Sequence, residues 1–478
     1  MKKDWNKILA KHFSDHKRPQ NRRDFLRFGI ISFSATLISN NIAVQLSSMG
    51  RALAQSQGTA QLPIPFLVFD MAGGAGLPGN FLVGNKGGSE DLLSSYSMIG
   101  WDPKKSGYDS RFGVPMAKAD ISKVFQGITE EASPEAQANL KMTALCHASD
   151  DDTPTNPTSA ALLVAKAQAA FGVGGLRINQ PLGMTANFSG GNSGIPVEDV
   201  NFRAKFVTSI EDITSSVSYG KLFSDLLPNE VVKMNKALQK LSATQMKKLM
   251  NSDNNTQMQF FANKSYAELQ AIGKTADSFG PRKNEIINAV YGLRGNNQNN
   301  PPANEFRNDI AAAIVMHVLK GQSAPGILTL GGCDYHDGSS TTGDGKDLIM
   351  GRQIGRAVEA AYRLQKPLMF QLLTDGGVRA VENDRAWAAD DRLKSMSVIG
   401  YYNPKEAPQQ LATQIGHYEN GQVVNQEGIF AGAPADSAKR AAYVTAINYL
   451  TVNGQEKLVD ELSSGLSRVD ADKVKAFR

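Results

Sequence analysis

Cysteine is nearly absent, with only Cys146 and Cys333 in 478 residues. A count this low excludes a scaffold built on disulfides. It leaves two readings open: one disulfide between the pair, or two buried thiols. Histidine is scarce as well, six in all, and His12 and His16 lie near the N-terminus. That leaves His147, His317, His336 and His417 as imidazoles for chemistry in the rest of the chain. Also missing beyond residue 54 is any apolar run of the roughly 20 residues that a membrane helix needs, so no integral span is expected there. No internal repeat is visible.

The first 54 residues supply what the remainder lacks, a concentration of positive charge. They hold five lysines and five arginines against Asp4, Asp15 and Asp24. A basic stretch leads to Asn21-Arg22-Arg23-Asp24-Phe25-Leu26-Arg27, a mildly apolar run Phe28–Val44 follows, and Ala52-Leu53-Ala54 closes the segment. Basic region, apolar region and small-residue cleavage site in that order make a secretory signal. Paired arginines followed by x-Phe-Leu mark the twin-arginine variety. Ser32, Ser34, Thr36, Ser39, Asn40 and Asn41 make the apolar part too polar for a stable span. The expectation is a signal peptide over 1–54 and a protein that is periplasmic or secreted, exported by the twin-arginine pathway. Removing the segment turns the whole-chain charge of +5 slightly negative. The basic character belongs to the address, and no nucleic-acid partner is expected.

Beyond residue 54 the pattern alternates. Ile64–Asp70 is a short, nearly continuous apolar run that fits a strand buried on both faces, and it ends in the glycine-rich loop Met71–Asn80. Residues 81–135 look loop-rich. Lys141–Ala148 predicts a strand and Ser159–Phe171 an alanine-rich helix. Residues 217–302 form a helical insert or cap ending in an Asn/Gln/Pro linker, with the first part of the core at 55–216 and the second at 303–478. In the second part, helices are expected at Asn304–Lys320 and Asp347–Leu364, and strands at Gly326–Leu330, Pro367–Leu373 and Ser397–Tyr401. A last helix pair covers Ala435–Leu450 and Gln455–Leu466. Strands alternating with helices predict an α/β fold, a mainly parallel sheet with helices on both faces.

Ligands in open α/β sheets bind beyond the carboxyl ends of the strands. Three such ends carry polar residues: Asp70, Cys333-Asp334-Tyr335-His336-Asp337 and Thr374-Asp375. Two carboxylates and an imidazole from adjacent strand ends make a plausible divalent-metal set. The metal candidates are therefore Asp334, His336, Asp375 and His417, with Asp70 contributing. His317, mid-helix among apolar residues, reads as structural. His147 with the Asp150–Asp152 run is a weaker candidate. Aspartates after strands also cap helices and bind loop amides, which is the competing reading for each of them. The glycines at 73, 74, 76 and 79 lack the G-x-G-x-x-G fingerprint, so no dinucleotide cofactor is expected.

These residues together resemble a bacterial family, domain of unknown function 1501, related to the alkaline phosphatase and sulfatase superfamily. The resemblance rests on the twin-arginine signal, the strand running into Gly73-Gly74-Ala75-Gly76-Leu77, and Gly331-Gly332-Cys333-Asp334-Tyr335-His336. The family's stretch there is Gly-Gly-Trp/Phe-Asp-Thr-His, matched at Asp334 and His336 and not at Cys333 and Tyr335. Thr374-Asp375-Gly376-Gly377 is similar to the family's Ser/Thr-Glu-Phe-Gly-Arg, with Asp375 in the acidic place and no matching arginine. The resemblance implies an alkaline-phosphatase-like core and binding of a divalent metal such as Zn, Mn, Ca or Mg. A covalent mechanism of that superfamily needs a Ser, Thr or Cys nucleophile after the first strand. None occurs between Asp70 and Ser89. A metal-activated water assisted by Asp70 or Asn80 is the catalytic alternative. Two functions stay in view: a metal-dependent hydrolase of small phosphate or sulfate esters, and a non-catalytic periplasmic or surface protein that binds an envelope protein partner.

Overall fold

The structure is a computed structural model that describes residues 62–85, 91–150 apart from 100, 103–104 and 119, 156–171, 180–184, 204–213 apart from 211, 280–293, 306–335, 340–380, 387–388, 391–459 and 471–478. The expected signal peptide lies outside the described residues, as does most of the expected insert.

Eight strands make the main sheet: β1 (Phe66–Met71), β2 (Leu140–Cys146), β3 (Leu182–Gly183), β4 (Lys205–Phe206), β5 (Gly326–Leu330), β6 (Leu368–Thr374), β7 (Met396–Tyr402) and β8 (Gln414–Ile415). Their order is β8-β2-β7-β6-β1-β5-β3-β4. All pairings are parallel except those of β7, which runs antiparallel to β6 and to β2. The mainly parallel α/β sheet expected from the alternating pattern is the fold observed.

β1 is central, and all six of its residues are buried. Its side chains alternate between two helical layers, because successive strand residues face opposite ways. Phe66 meets Tyr449 edge-on at 5.5 Å between centroids. Tyr449 belongs to α8 (Pro434–Val452), which packs with α4 (Ala161–Ala170). Leu67 instead shares the space beside Gly326 with Ile314 and Val318 of α6 (Asn308–Leu319). On that side α6 and α7 (Thr341–Arg363) both reach β1, and α5 (Glu285–Tyr291) bridges them. With both faces covered, β1 has no polar side to show in its pattern, which is why it reads as a continuous apolar run.

Two local expectations need correction. Residues 81–135, expected to be loop-rich, hold α1's C-terminal neighbour α2 (Lys123–Glu131) and α3 (Pro134–Ala138), where α1 (Leu77–Asn80) is the single turn that ends the glycine loop. Both later helices begin on serine caps. Ser122 accepts from the Phe125 N–H at 3.1 Å, and Ser133 stands before Pro134 at the first helical position. α2 buries Val124, Phe125 and Ile128 and packs along α7. α7 itself starts at Thr341 instead of Asp347, running through Gly343 and Gly345. A Cβ on Gly343 would sit 1.8 Å from Tyr335 Cζ, so the residue that weakens the helical signal is the one that lets the Tyr335 ring lie against the helix. At the C-terminus, the second of the expected helix pair begins with a 3-10 turn at Glu456–Leu458, and the rest of it, from 460, lies outside the described residues.

Candidate functional site

The carboxyl ends of β1, β5 and β6 meet around the glycine loop. Pairing of β1 with β5 continues past the strands: the Ala72 N–H donates to the Leu330 carbonyl at 2.9 Å, and the Cys333 N–H to the Ala72 carbonyl at 3.0 Å. The loop then turns across the top of the sheet, and three consecutive amides are captured. The Gly73 N–H donates to Asp375 Oδ1, the Gly74 N–H to Asp334 Oδ1 at 3.0 Å, and the Ala75 N–H to Thr374 Oγ1 at 3.0 Å. The Thr374 hydroxyl in turn donates to the Gly73 carbonyl. Gly73 has φ +106°, and a Cβ there would lie 2.5 Å from Asp334 Oδ2. Only glycine permits both the backbone conformation and the closeness of that carboxylate.

Asp70 is the unusual member. It is wholly buried, and neither carboxyl oxygen closes a well-aligned hydrogen bond. Burial pushes its pKa well up, the Asp375 charge adds to the rise, and the Thr329 hydroxyl directly across on β5 only eases it. An ionised carboxylate in such a place is costly without a compensating charge or proton. Asp375 is 2% exposed, and Asp334 is half-buried.

Beneath this layer lies a second polar cluster. Asn80, at the end of α1, donates through Nδ2 to Asp347 Oδ2 at 2.7 Å and to the Gly76 carbonyl at 3.2 Å. Its Oδ1 accepts from the Ser122 hydroxyl at 2.8 Å and the Val124 N–H at 3.2 Å. The amide is fully engaged within the protein, stapling the glycine loop to the start of α2 and to α7. The Tyr335 hydroxyl donates to Asp347 Oδ2 at 3.2 Å. Burial, followed by the nearby Asp344 charge, outweighs these two bonds and pushes the Asp347 pKa up to about 7.

The sequence candidates thus separate. Asp70, Asp334 and Asp375 converge. His336 lies outside the described residues, as do Asp151 and Asp152. His417 is half-buried on the turn after β8, beside a cavity of about 280 Å³ that Gln414, Gly416 and Lys473 also line. β8 stands four strand spacings from β1, roughly 19 Å at about 4.8 Å each, so His417 is not brought to the three aspartates. Asp150 faces Arg392 at 3.9 Å on a partly exposed surface. His147 is buried, with Nδ1 bonded to the Ala148 carbonyl at 2.7 Å and Nε2 to the Ser397 hydroxyl at 3.1 Å. His317 is buried on α6. Cys146 and Cys333 are free, buried thiols. Cys146 ends β2 and Cys333 lies just beyond β5, strands four places apart in the sheet and far beyond the span of about 7 Å that a disulfide bridges, so the disulfide reading is set aside.

Sequence reasoning missed Asp347 and the captures made by Thr374 and Tyr335. Thr374 precedes Asp375 at a strand end, a position whose hydroxyl commonly ties down a turn, and that signal was available. Asp347 carried none, since an aspartate early in an expected helix is accounted for by the helix dipole.

An orphaned buried carboxyl beside a second one suits a hard divalent cation by charge and donor type. Among the described residues, no three His, Cys, Asp or Glu side chains form a group that could hold a metal ion. Also among them, no helix is long and apolar enough to cross a membrane. The fold and its strand-end rim define the class: an α/β protein with a mainly parallel sheet and a polar cluster at the carboxyl ends of its central strands. No protein-family model matches the chain, and no curated protein matches it.

Proposed function

We propose that this is an exported envelope protein with an alkaline-phosphatase-like core, a distant member of the domain of unknown function 1501 family, whose strand-end carboxylates bind a divalent cation used in hydrolysing phosphate or sulfate esters. The observation that carries the reading is Asp70. A buried carboxyl that closes no well-aligned hydrogen bond, eased only by the Thr329 hydroxyl and within electrostatic reach of Asp375, is a place where a cation would relieve a penalty that the fold otherwise bears. Asp334, His336 and Asp375 would hold the ion with Asp70 contributing; the three aspartates do not form a metal-holding group by themselves, so the set depends on His336, two residues after Asp334. Bound there, the ion would supply Lewis-acid charge to an ester oxygen or a water. The protein's own part is to hold the ligand-bearing loops in place and to bury the site.

A second reading, a non-catalytic protein that binds an envelope partner, is favoured by a different observation. Asp334, Asp375 and Thr374 already hold the glycine loop's amides, and no hydroxyl or thiol nucleophile follows β1.

The deciding measurement is metal content by mass spectrometry on the mature protein, beside Asp70→Asn and Asp334→Ala. The cation reading expects near-stoichiometric Zn, Mn, Ca or Mg, reduced about tenfold or more in both variants. Absence of metal from the wild-type protein under saturating ion would sink it and leave the binding reading. Export is tested apart, by replacing Arg22 and Arg23 with lysine. The precursor should then accumulate in the cytoplasm, and unchanged secretion would overturn the twin-arginine assignment.

A further inference from the structure

Asp347 does not belong to the strand-end layer, yet it touches both loops that form it. Its Oδ2 accepts from Asn80, at the end of the glycine loop, and from Tyr335, next to Asp334. Asn80 in turn holds Ser122 and Val124 at the start of α2. The Tyr335 ring lies against Gly76 of the first loop, where a Cβ would come within 3.2 Å of its Cζ and hydroxyl, and against Gly343 of α7. One buried carboxyl, 2% exposed, thus sits where the first loop, the second loop and α7 join. Its other oxygen, Oδ1, has no hydrogen-bond partner among the described residues.

We propose that Asp347 is a proton-operated latch: with its proton it holds the glycine loop and the Asp334–Tyr335 loop together against α7, and on losing it the buried charge drives the junction open to water.

An uncharged carboxylic acid keeps an oxygen that can accept from both Asn80 and Tyr335 and puts its proton on the unpartnered one. An anion keeps the same two bonds but leaves the second oxygen charged and dry, which is the expensive arrangement. Among the described residues no cationic side chain bonds it, and Lys346, its neighbour on α7, donates instead to the Gly331 carbonyl at 2.9 Å. The other titratable groups around it are Tyr335 and Cys333 from the second loop, which are neutral, and Asp344 one turn earlier on α7, which repels an anion. Asn80 and Ser122, from the first loop and the start of α2, are uncharged. The sign follows. With a folded pKa of about 7, above the ordinary 3.8, closure is favoured at low pH and is lost as pH rises toward the folded value.

Amide hydrogen exchange tests this in the mature protein with chelator present, so that any cation at Asp70 plays no part. The amides of Gly79, Phe81 and Cys333, all bonded within the junction, are read from about pH 5 to about pH 9 and divided by their intrinsic rates. In the wild type, opening should rise about tenfold per pH unit up to about pH 7 and then level off. Asp344→Asn removes a repelling charge and should move the bend to lower pH. Tyr335→Phe removes a bond that favours the anion and should move it to higher pH. Asp347→Asn should abolish the pH dependence while leaving the junction closed. A flat wild-type profile, or a bend that neither Asp344→Asn nor Tyr335→Phe moves, overturns the latch. Those two variants keep the question answerable if Asp347→Asn does not fold.

Discussion

At the same end of the sheet, His147 and Asp70 are both wholly buried and meet that burial in opposite ways. His147 follows β2, and each ring nitrogen has a partner, with the Phe430 ring set against it at 6.1 Å between centroids. The next residue is tied down too, the Ala148 N–H donating to the Ser437 hydroxyl at 2.9 Å. Asp70 closes β1 with no such provision, and its loop is held by other residues' side chains. A buried polar group whose bonds are all made is explained by structure alone. One left open asks for a proton or a ligand. This contrast ranks the two regions, and it assigns His147, despite being an imidazole at a strand end, to architecture.

The comparison can be broken at its base by closing the glycine loop to Asp334. Gly73→Ala forces a side chain into left-handed backbone and against a carboxylate, and should cost about 3 kcal/mol or more in denaturant unfolding. A cost under about 1 kcal/mol would show that the loop relaxes freely and that its geometry is not set by Asp334. Next in size is His147→Leu, which keeps volume but strands the Ala148 carbonyl and the Ser397 hydroxyl, for a loss of about 2 kcal/mol at neutral pH. The same variant sharpens the pH behaviour. Burial pushes His147 down to about 4 from an ordinary 6.5, so its contribution is whole above 6.5 and is lost as pH falls toward 4. The wild type should lose on the order of 3 kcal/mol across that window from this residue alone, and His147→Leu should not. Smallest is Asp70→Asn in metal-free protein, expected within about 1 kcal/mol of wild type, since no well-aligned hydrogen bond is removed and the amide oxygen can still face the Thr329 hydroxyl. A loss as large as that of His147→Leu would erase the distinction between the two sites.

The fold was legible where burial made the pattern unambiguous. Gly326–Leu330 was read to the residue, and β1, β2, β6 and β7 within a few, because strands covered on both faces become apolar runs. The direction of β7 was not legible. Nothing in Met396–Tyr402 distinguishes an antiparallel strand from a parallel one when both faces are buried. α2 was hidden because its start lies in a serine cap and only three of its residues carry the apolar face. Of the site, the aspartates were legible as strand-end residues. The bonds between them were not, because Asp375 and Asp334 act on amides hundreds of residues away. Asp347 stayed hidden because its partner Asn80 is 267 residues away and Tyr335, though only 12 residues before it, reaches it across a loop.

Those distances have a consequence in time. Gly74 and Asp334 are 260 residues apart, and Gly73 and Asp375 are 302 apart. On a ribosome moving at about 5–20 residues per second, roughly 15–60 s pass between making the glycine loop and making the carboxylate that captures its first amide. Until Gly326–Leu330 is made, which takes most of that interval, β1 in the middle of the sheet has neither of its neighbours. Contacts of this length make for slow closure even once synthesis ends. The nascent chain therefore carries an apolar central strand uncovered for most of its birth, and the capture of Gly73 by Asp375 comes only after both of its neighbours have been made.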